Sequence, residues 1–213
     1  MPKSLKNLFA TIVEYGYVEK ITEGDWNTVY YHSRRYYYAR ADDNGNITEI
    51  APTHFMFCCS VDKAIELKSG YNAPVGDMII FDEFIIDKGT YKYLSDEVTC
   101  FLEFYETVAR IRDVQVLFLS NAITITNPYF LYWNLKMPYN SDITCKNDML
   151  IQLVANPLFI SMKQNTRFGK IISGTAYGDY AISNSFLRDN NTFIERKTGS
   201  CSFIFSMIFK GKR

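Results

Sequence analysis

Residues 78–83 read MIIFDE and residues 114–121 read VQVLFLSN, and these two segments give the clearest indication of the fold class. Each is a largely apolar run that ends in two polar residues, Asp-Glu in the first and Ser-Asn in the second. Continuous apolar strands are typical of a parallel sheet that is covered on both faces. The two runs therefore predict an α/β fold with buried parallel strands.

A helix is predicted between the two runs, over residues 94–112. Ser95 is a suitable cap, and Asp96 and Glu97 follow where a helix N-terminus favours anions. Apolar residues recur along one side of the helix: Leu94, Val98, Phe101, Leu102, Tyr105 and Ala109. A strand–helix–strand unit with a right-handed crossover places the carboxyl ends of both strands at one sheet edge, where α/β proteins bind ligands. Four polar residues are expected at that edge: Asp82, Glu83, Ser120 and Asn121.

The two adjacent acids suit nucleotide hydrolysis. Asp82 would hold Mg²⁺, usually through water, and Glu83 would polarise the water that attacks the terminal phosphate. Ser120 or Asn121, on the neighbouring strand, is placed to sense that phosphate. In the alternative interpretation, the acids simply cap a loop after the strand. The polar pair on the second strand favours the functional interpretation.

Arginines at the far end of the connecting helix could complete such a site. Arg110 or Arg112 could stabilise the charge that develops in the transition state, and could do so across a subunit boundary. The sequence alone does not choose between the two.

The N-terminal region predicts a helix followed by a β-hairpin. Apolar residues at helical spacing indicate an amphipathic helix over residues 4–15, with Gly16 as its stop. Residues 28–40 are expected as one hairpin arm, with the turn at Asn44-Gly45. The YYHSRRYYY segment in this arm could stack on nucleic-acid bases, but an exposed hairpin face uses the same residues, and that interpretation is favoured.

Charge divides the chain at residue 160. Residues 1–159 carry 14 basic and 20 acidic side chains, whereas residues 160–213 carry 9 basic and 3 acidic ones. We predict one more strand over residues 149–155, and short strands around glycine turns over 167–186 and from residue 192 onward. The chain should therefore divide into residues 1–159, which carry the predicted site, and a basic region over 160–213.

Length and composition exclude several classes of protein. The 213 residues allow one or two domains with a substantial core. A net charge of zero argues against binding of nucleic acid by bulk charge. Five scattered cysteines without a CxxC pattern predict a reducing, cytosolic environment. No apolar run approaches the ~20 residues that span a bilayer, so we expect a soluble protein.

Five blocks of the sequence together resemble one known family, the DNA encapsidation ATPases of small protein-primed tailed bacteriophages. They occur in the family's order and spacing, and SNA followed by NPYF and RFG followed by GTxYG are the most specific. The blocks are IIFDEF (79–84), ETVARIR (106–112), LSNAITITNPYFLYWNL (119–135), TRFGKIISGTAYGDYAISNSF (166–186) and FIERKTGSCSFIFS (193–206).

This resemblance implies a P-loop NTPase-like core of the additional-strand class, with a largely parallel sheet, in a ring-forming motor that uses ATP and Mg²⁺. Asp82 then takes the magnesium role and Glu83 the catalytic-base role of a Walker B motif. Asn121, with Ser120 binding nucleotide beside it, takes the sensor position, and Arg110 matches a trans-acting arginine finger better than Arg112 does.

The family also implies the partners of such a motor. These are double-stranded DNA, the portal and procapsid, other copies of the chain in a ring with five subunits, and packaging RNA as a further candidate. The implied location is the host cytoplasm, at the portal of the procapsid, and no membrane partner is expected.

One departure from the family pattern concerns the phosphate-binding loop. A Walker A loop, GxxxxGK[ST], holds phosphates with backbone amides and a lysine, and no stretch before Asp82 matches it. We therefore expect residues 1–159 to form a partial ATPase domain, incomplete at its N-terminus, with the Walker B and sensor strands. Residues 160–213 are expected to form the end of that domain and the start of the linker toward the family's C-terminal domain, before which the chain stops. We also expect weak ATP binding, with little or no hydrolysis in isolation.

Two other functions remain open at this point. The first is a Mg²⁺-dependent nuclease or phosphohydrolase built around Asp82 and Glu83, which would need further carboxylates at the same site. The second is a non-catalytic module that binds nucleic acid or the portal through the basic C-terminal region and Arg34-Arg35.

Overall fold

The computed structural model describes residues 7–64, 77–87, 92–137 and 142–187, which form a mixed α/β fold. The helices are α1 (Ala10–Glu14), α2 (Tyr17–Ile21), α3 (Val61–Ala64), α4 (Glu97–Ala109), α5 (Pro128–Tyr132), α6 (Pro157–Gln164), α7 (Arg167–Ile172) and α8 (Ala176–Ser183). The strands are β1 (Thr28–His32), β2 (Arg35–Ala41), β3 (Ile47–Ile50), β4 (Met56–Phe57), β5 (Met78–Asp82), β6 (Gln115–Leu119), β7 (Ile143–Lys146) and β8 (Met149–Gln152).

Contacts within the chain define two compact units. Unit 1 lies within Met1–Phe81 and Tyr93–Leu117, and unit 2 lies within Asp82–Lys92 and Phe118–Arg213. The boundary passes through β5 and β6, so Asp82 and the residues that follow β6 belong to unit 2.

An antiparallel sheet in unit 1 contains β1, β2 and β3 in that order, with β4 also paired to β2. The predicted turn at Asn44-Gly45 is confirmed, since it joins β2 to β3 and Gly45 has the positive φ of 81° that such turns need. The single arm predicted over residues 28–40 is wrong. Ser33 and Arg34, with φ values of 51° and 66°, form a second turn that splits this segment into two paired strands.

The helix predicted over residues 4–15 is shorter within the described residues. It begins at Ala10, and Gly16 does end it, but Gly16 also starts the next helix from a left-handed conformation with φ of 67°. Tyr36 of β2 forms the centre of the core here and is 1% exposed. The ring of Phe9 lies edge-on to it, with centroids 4.9 Å apart. Burial raises the pKa of Tyr36 to about 12.

The predicted strand–helix–strand unit is confirmed as β5, α4 and β6. The Gln115 amide donates to the Asp77 carbonyl where the strands begin (3.0 Å), and the Phe84 amide donates to the Leu119 carbonyl where they end (3.3 Å). The two strands therefore run in the same direction. Among the described residues, β5 and β6 are paired only with each other, and β7 pairs antiparallel to β8. The prediction of a largely parallel sheet is therefore wrong for these residues.

The helix α4 is shorter than predicted, and its cap is different. It begins at Glu97, and its N-cap is Asp96, whose side chain makes no capping hydrogen bond. Instead, the buried Glu97 carboxylate accepts a bond from the Leu94 amide (3.0 Å). Phe101 of this helix stacks on Phe81 of β5, with centroids 5.2 Å apart, so the helix covers one face of the strand.

The prediction that both faces of β5 and β6 are buried is wrong. Exposure alternates along β5 and β6, and Met78 and Ile80 are each 53% exposed. Successive side chains of a strand point to opposite faces, and within the described residues only one face is covered. Apolar composition alone cannot tell a doubly covered strand from one whose second face is open.

Unit 2 contains the β7–β8 hairpin and four helices in the residues described. The strand predicted over 149–155 is confirmed as β8, whereas β7 was not predicted. The short strands predicted over 167–186 are wrong, because the structure has α7 and α8 there. The strands predicted beyond residue 192 lie outside the described residues.

Two copies of one capping pattern, TRFG and TAYG, explain why residues 166–183 are helical. The hydroxyl of Thr166 donates to the Lys163 carbonyl (2.7 Å) and accepts from the Gly169 amide (2.9 Å). Nine residues later, Thr175 makes the same pair of bonds with the Ile172 carbonyl (2.7 Å) and the Gly178 amide (3.0 Å). Each threonine thus closes the start of a helix against the end of the preceding one.

Both glycines of this pattern lie directly against backbone. A Cβ on Gly169 would lie 2.0 Å from the Lys163 carbonyl oxygen, and one on Gly178 would lie 2.1 Å from the Ile172 carbonyl oxygen. Neither position therefore accepts another residue without displacement of a helix.

Across the parts of the chain that are described, no helix is long and apolar enough to cross a membrane.

Candidate functional site

The predicted site residues fall in both units. Asp82, Glu83, Ser120 and Asn121 belong to unit 2, and Arg110 follows α4 in unit 1. The first four follow the carboxyl ends of β5 and β6, which are paired in parallel. Because the two strands run in the same direction, their ends bring these four residues to the same edge of the β5–β6 sheet.

Asp82 and Glu83 form an exposed acidic corner at the end of β5. One carboxylate oxygen of Asp82 accepts the Glu83 amide (3.0 Å). Glu83 has a φ of 55°, in the left-handed region that costs a residue with a Cβ about 1–2 kcal/mol. Backbone strain of this kind concentrates at functional sites, where the surrounding structure maintains it.

A serine hydroxyl fixes the loop that follows these acids. The Oγ atom of Ser120 accepts the Ile85 amide (3.3 Å) and donates to the Ile85 carbonyl (3.4 Å). Together with the Phe84–Leu119 bond, it links the loop after β5 to the end of β6. Ser120 therefore has a structural role in addition to the nucleotide contact predicted for it.

An aromatic cluster supports the same loop. The ring of Phe84 lies 5.4 Å from that of Phe118 and 5.6 Å from that of Tyr129. Tyr129 belongs to the NPYF segment, whose Asn127 is 1% exposed and caps α5 by accepting the Phe130 amide (3.0 Å). The NPYF segment thus forms the packed base on which the residue after Glu83 rests.

The two candidate arginines differ in their contacts. A guanidinium nitrogen of Arg112 donates to the Val108 carbonyl (2.6 Å), and another lies 3.9 Å from the Asp77 carboxylate. Arg110 is exposed, with a φ of 53° directly after α4. The contacts of Arg112 stabilise its own unit, so the geometry favours Arg110 as the arginine available to another molecule.

A cavity of about 440 Å³ lies within unit 2 and is lined in part by Ser120 and Asn121. The segment at 154–156 and helices α6 and α8 form its other walls, with Lys163 as the charged side chain among the lining residues. The Lys163 ammonium donates to the Ala181 carbonyl (2.7 Å) and lies 5.2 Å from the Phe159 ring centroid. The lining of this cavity combines aromatic rings with hydrogen-bonding groups.

Tyr180 lines this cavity, and nearby negative charges contribute to a shift in its pKa. Burial, the neighbouring Tyr177, and the negative charges of Asp87 and Glu83 raise the pKa of Tyr180. Ser120 links the two places in space, since it lines the cavity and its hydroxyl bonds Ile85, two residues beyond Glu83. The acidic corner and the cavity are neighbouring parts of one unit.

The sequence prediction missed the residues that α6 and α8 bring to this place, among them Lys163, Tyr180 and Asn184. A helical signal was present, because Thr166 and Thr175 are good N-cap residues and Asn156-Pro157 is a typical helix start. Glycines at 169, 174 and 178 instead favoured an interpretation as turns.

Few side chains at the acidic corner could act as ligands of a magnesium ion. Among the described side chains, no group of three or more His, Cys, Asp or Glu could hold a metal ion. Asp82 does have a second carboxylate oxygen beyond the one that accepts the Glu83 amide. One carboxylate, with waters and substrate phosphates, is the usual way in which proteins bind Mg²⁺. Asp82 therefore fits a magnesium ion that arrives with a nucleotide.

Comparison with known protein families identifies the family to which most of the chain is similar. The model described as "Podovirus DNA encapsidation protein (Gp16)" matches residues 60–213. Among curated proteins, the DNA packaging protein of Bacillus phage PZA is 39% identical over 139 residues, which is 65% of this chain and 42% of that protein. The chain thus aligns with less than half the length of this relative.

Two solved structures are similar in fold as well as in sequence. "The bacteriophage Phi-29 viral genome packaging motor assembly" contains a chain that is 30% identical with a TM-score of 0.57, over 99% of this chain and 59% of that one. The N-terminal domain of the DNA packaging ATPase from bacteriophage phi29 is 28% identical with a TM-score of 0.52, over 69% of both chains.

Proposed function

The chain belongs to the Podovirus DNA encapsidation protein family, and from this premise we propose that it acts as part of the ATPase of a viral DNA packaging motor. In this role it couples ATP hydrolysis to the movement of double-stranded DNA into a procapsid. The observation that carries the proposal is the acidic corner at the end of β5, tied to the end of β6 beside a cavity within one unit.

Each strand-end residue has a role in this proposal. Asp82 binds the magnesium ion of MgATP, which neutralises charge on the phosphates, and Glu83 accepts a proton from the attacking water. Asn121, as the sensor, donates from its side-chain amide to the terminal phosphate, and Ser120 contributes to nucleotide binding. The P-loop core of the additional-strand class and the naming of residues 79–83 as a Walker B motif belong to the same proposal.

Arg110 acts in trans in this account. An exposed arginine directly after a helix can reach a nucleotide on a neighbouring subunit and stabilise transition-state charge. The proposal therefore includes a ring of several copies, with double-stranded DNA, the portal of the procapsid and packaging RNA as partners. The motor would assemble in the host cytoplasm.

The nuclease alternative lacks support in the described residues, because the further carboxylates that it needs do not cluster with Asp82 and Glu83. Non-catalytic binding through Arg34 and Arg35 rests on a turn and on the adjoining strand, where Arg35 lies 5.9 Å from the Phe57 ring. No specific observation favours either alternative over the ATPase.

The decisive experiment measures ATP hydrolysis by this chain after addition of a polypeptide that carries a GxxxxGK[ST] loop from a family relative. We expect Mg²⁺-dependent hydrolysis only in the mixture. The added loop supplies backbone amides and a lysine to the phosphates, and no stretch before Asp82 matches the pattern of such a loop. Glu83→Gln should lower the rate at least 100-fold, because general-base catalysis contributes about 10²–10⁴.

Glu106→Gln provides the matched control, since Glu106 is an exposed glutamate on α4. It should leave the rate within about twofold of the unsubstituted mixture. Hydrolysis that is unaffected by Glu83→Gln would contradict the catalytic-base role of Glu83. No hydrolysis in the mixture, together with a DNA affinity that persists without nucleotide and survives Asp82→Ala and Glu83→Ala, would favour the binding module instead.

A further inference from the structure

Asn184 connects three separate segments of unit 2. Its side-chain oxygen accepts the Ala122 amide (3.3 Å), and its side-chain nitrogen donates to the Val154 carbonyl (2.9 Å). Ala122 directly follows Asn121, and Val154 lies on the wall of the cavity. A single carboxamide thus joins the end of α8, the loop after β6 and the segment after β8.

The backbone at Asn184 is suited to this task. Asn184 ends α8 in the left-handed conformation, with φ of 56° and ψ of 33°. Its amide still bonds the Tyr180 carbonyl (3.1 Å), and the Ser185 amide bonds the Asp179 carbonyl (3.2 Å), so the helix end is closed. Asparagine is one of the few residues with a Cβ that adopt this conformation readily.

Ala122 is held from both sides by the same short segment. Besides the bond from its amide to Asn184, its carbonyl accepts the Leu187 amide (3.0 Å). Ala122 is also 4% exposed, so both backbone groups are satisfied within the protein. The position of the preceding residue, Asn121, therefore depends on where residues 184–187 lie.

We infer that Asn184 is a positioning residue that fixes Asn121 at the cavity. This inference rests on the proposed function, because it gives Asn121 the task of contacting the terminal phosphate. The inference also gives a role to the GDYAISNSF segment (178–186), which contains Asn184 and contacts the loop after β6. A sensor amide must be held to within a fraction of an ångström, since displacements near 1 Å can cost about 100-fold in rate.

The test uses Asn184→Gly, which retains the left-handed backbone and removes both side-chain bonds. Asn147→Gly is the matched control, since Asn147 also has a positive φ, of 52°, in the β7–β8 turn. Hydrogen exchange at the Ala122 amide should be about tenfold faster in Asn184→Gly, as expected for loss of one hydrogen bond, and unchanged in Asn147→Gly.

The second readout is the dissociation constant for MgATP, measured by NMR with and without Asn121→Ala. Asn184→Gly should weaken binding several-fold in the unsubstituted chain and have no effect when Asn121 is already alanine. A purely structural role would weaken binding equally in both backgrounds, and that result would overturn the inference. Unchanged exchange at Ala122 would overturn it as well.

The two proposals fail in different ways. If Asn121→Ala binds MgATP as tightly as the unsubstituted chain, the sensor role is wrong, while the exchange rate at Ala122 still decides whether Asn184 holds this loop. If Asn184→Gly does not fold, Asn184→Asp replaces it, because a carboxylate can accept the Ala122 amide but cannot donate to Val154. Exchange at the Ala122 amide should be faster in Asn184→Asp than in the unsubstituted chain, and no increase at all would contradict the role of the Val154 bond.

Discussion

The hydroxyl of Ser120 bonds both backbone groups of Ile85, at 3.3 Å to the amide and 3.4 Å to the carbonyl. Ile85 lies two residues beyond Glu83 and is 6% exposed. Through this pair, the loop that carries the acidic corner is fixed to the end of the neighbouring parallel strand. The relative placement of the two strand ends thus depends on one side chain as well as on the sheet itself.

Ser120→Ala should therefore loosen the loop after β5. We expect a loss of about 1 kcal/mol in the free energy of unfolding, the usual value for one net hydrogen bond, and faster hydrogen exchange at the Ile85 amide. Denaturant unfolding and amide exchange measure these two quantities. Ser120→Thr, which retains a hydroxyl, should lose less, and Ser95→Ala, at an exposed serine, should lose nothing measurable. Equal stability of Ser120→Ala and Ser95→Ala would contradict the role given to this bond.

Gly169→Ala and Gly178→Ala should each destabilise unit 2 strongly. The added Cβ would overlap a carbonyl oxygen at 2.0 Å or 2.1 Å, so a helix must move, at a cost of roughly 3 kcal/mol. Thermal or denaturant unfolding measures the loss. Gly24→Ala is the comparison, since a Cβ there meets nothing within 4 Å and only the φ of 90° is unfavourable, at about 1 kcal/mol.

If all three alanine variants lost the same small amount of stability, the close approach of Gly169 and Gly178 to the backbone would be refuted. This comparison matters for the prediction of fold from sequence. Glycines that permit close helix packing look the same in a sequence as glycines that permit turns, so TRFG and TAYG favoured short strands where the structure has helices.

The strand–helix–strand unit was predictable because its pattern is local. The apolar runs before Asp82 and Ser120, separated by one amphipathic helix, allow few other arrangements. The positions of Asn184 and Tyr180 were not predictable, since Asn184 reaches the loop after β6 across 62 residues of chain. No periodicity in a single sequence encodes a contact of that range. The open faces of β5 and β6 were missed for a related reason, because apolar composition does not report which partner covers a strand.

The Cys59 thiol should react slowly and with a marked pH dependence. Burial is the main cause that raises the pKa of Cys59 to about 11, with a contribution from Cys58. Because a raised pKa keeps the thiol neutral, the reactive thiolate at pH 8 is on the order of a hundredfold scarcer than for an ordinary cysteine. Its alkylation rate should rise about tenfold per pH unit up to about pH 11.

Alkylation by iodoacetamide, followed by mass spectrometry of the peptides, measures this rate between pH 7 and pH 10. The exposed Cys145 serves as the internal reference. Cys59 should be modified well after Cys145 at pH 8. Equal rates at the two positions would show that the region after β4 is more open than the structure describes.

The central claim is that the ends of β5 and β6 together bind MgATP. Titration of the isotope-labelled chain with ATP, with and without Mg²⁺, tests it most directly, because NMR detects millimolar affinities. We expect weak, Mg²⁺-dependent shifts at the amides of Glu83 and Asn121. Asp82→Asn should abolish these shifts, whereas the control Asp148→Asn, at an exposed position in the β7–β8 turn, should retain them. Shifts that survive Asp82→Asn, or no shifts at several millimolar MgATP, would contradict it.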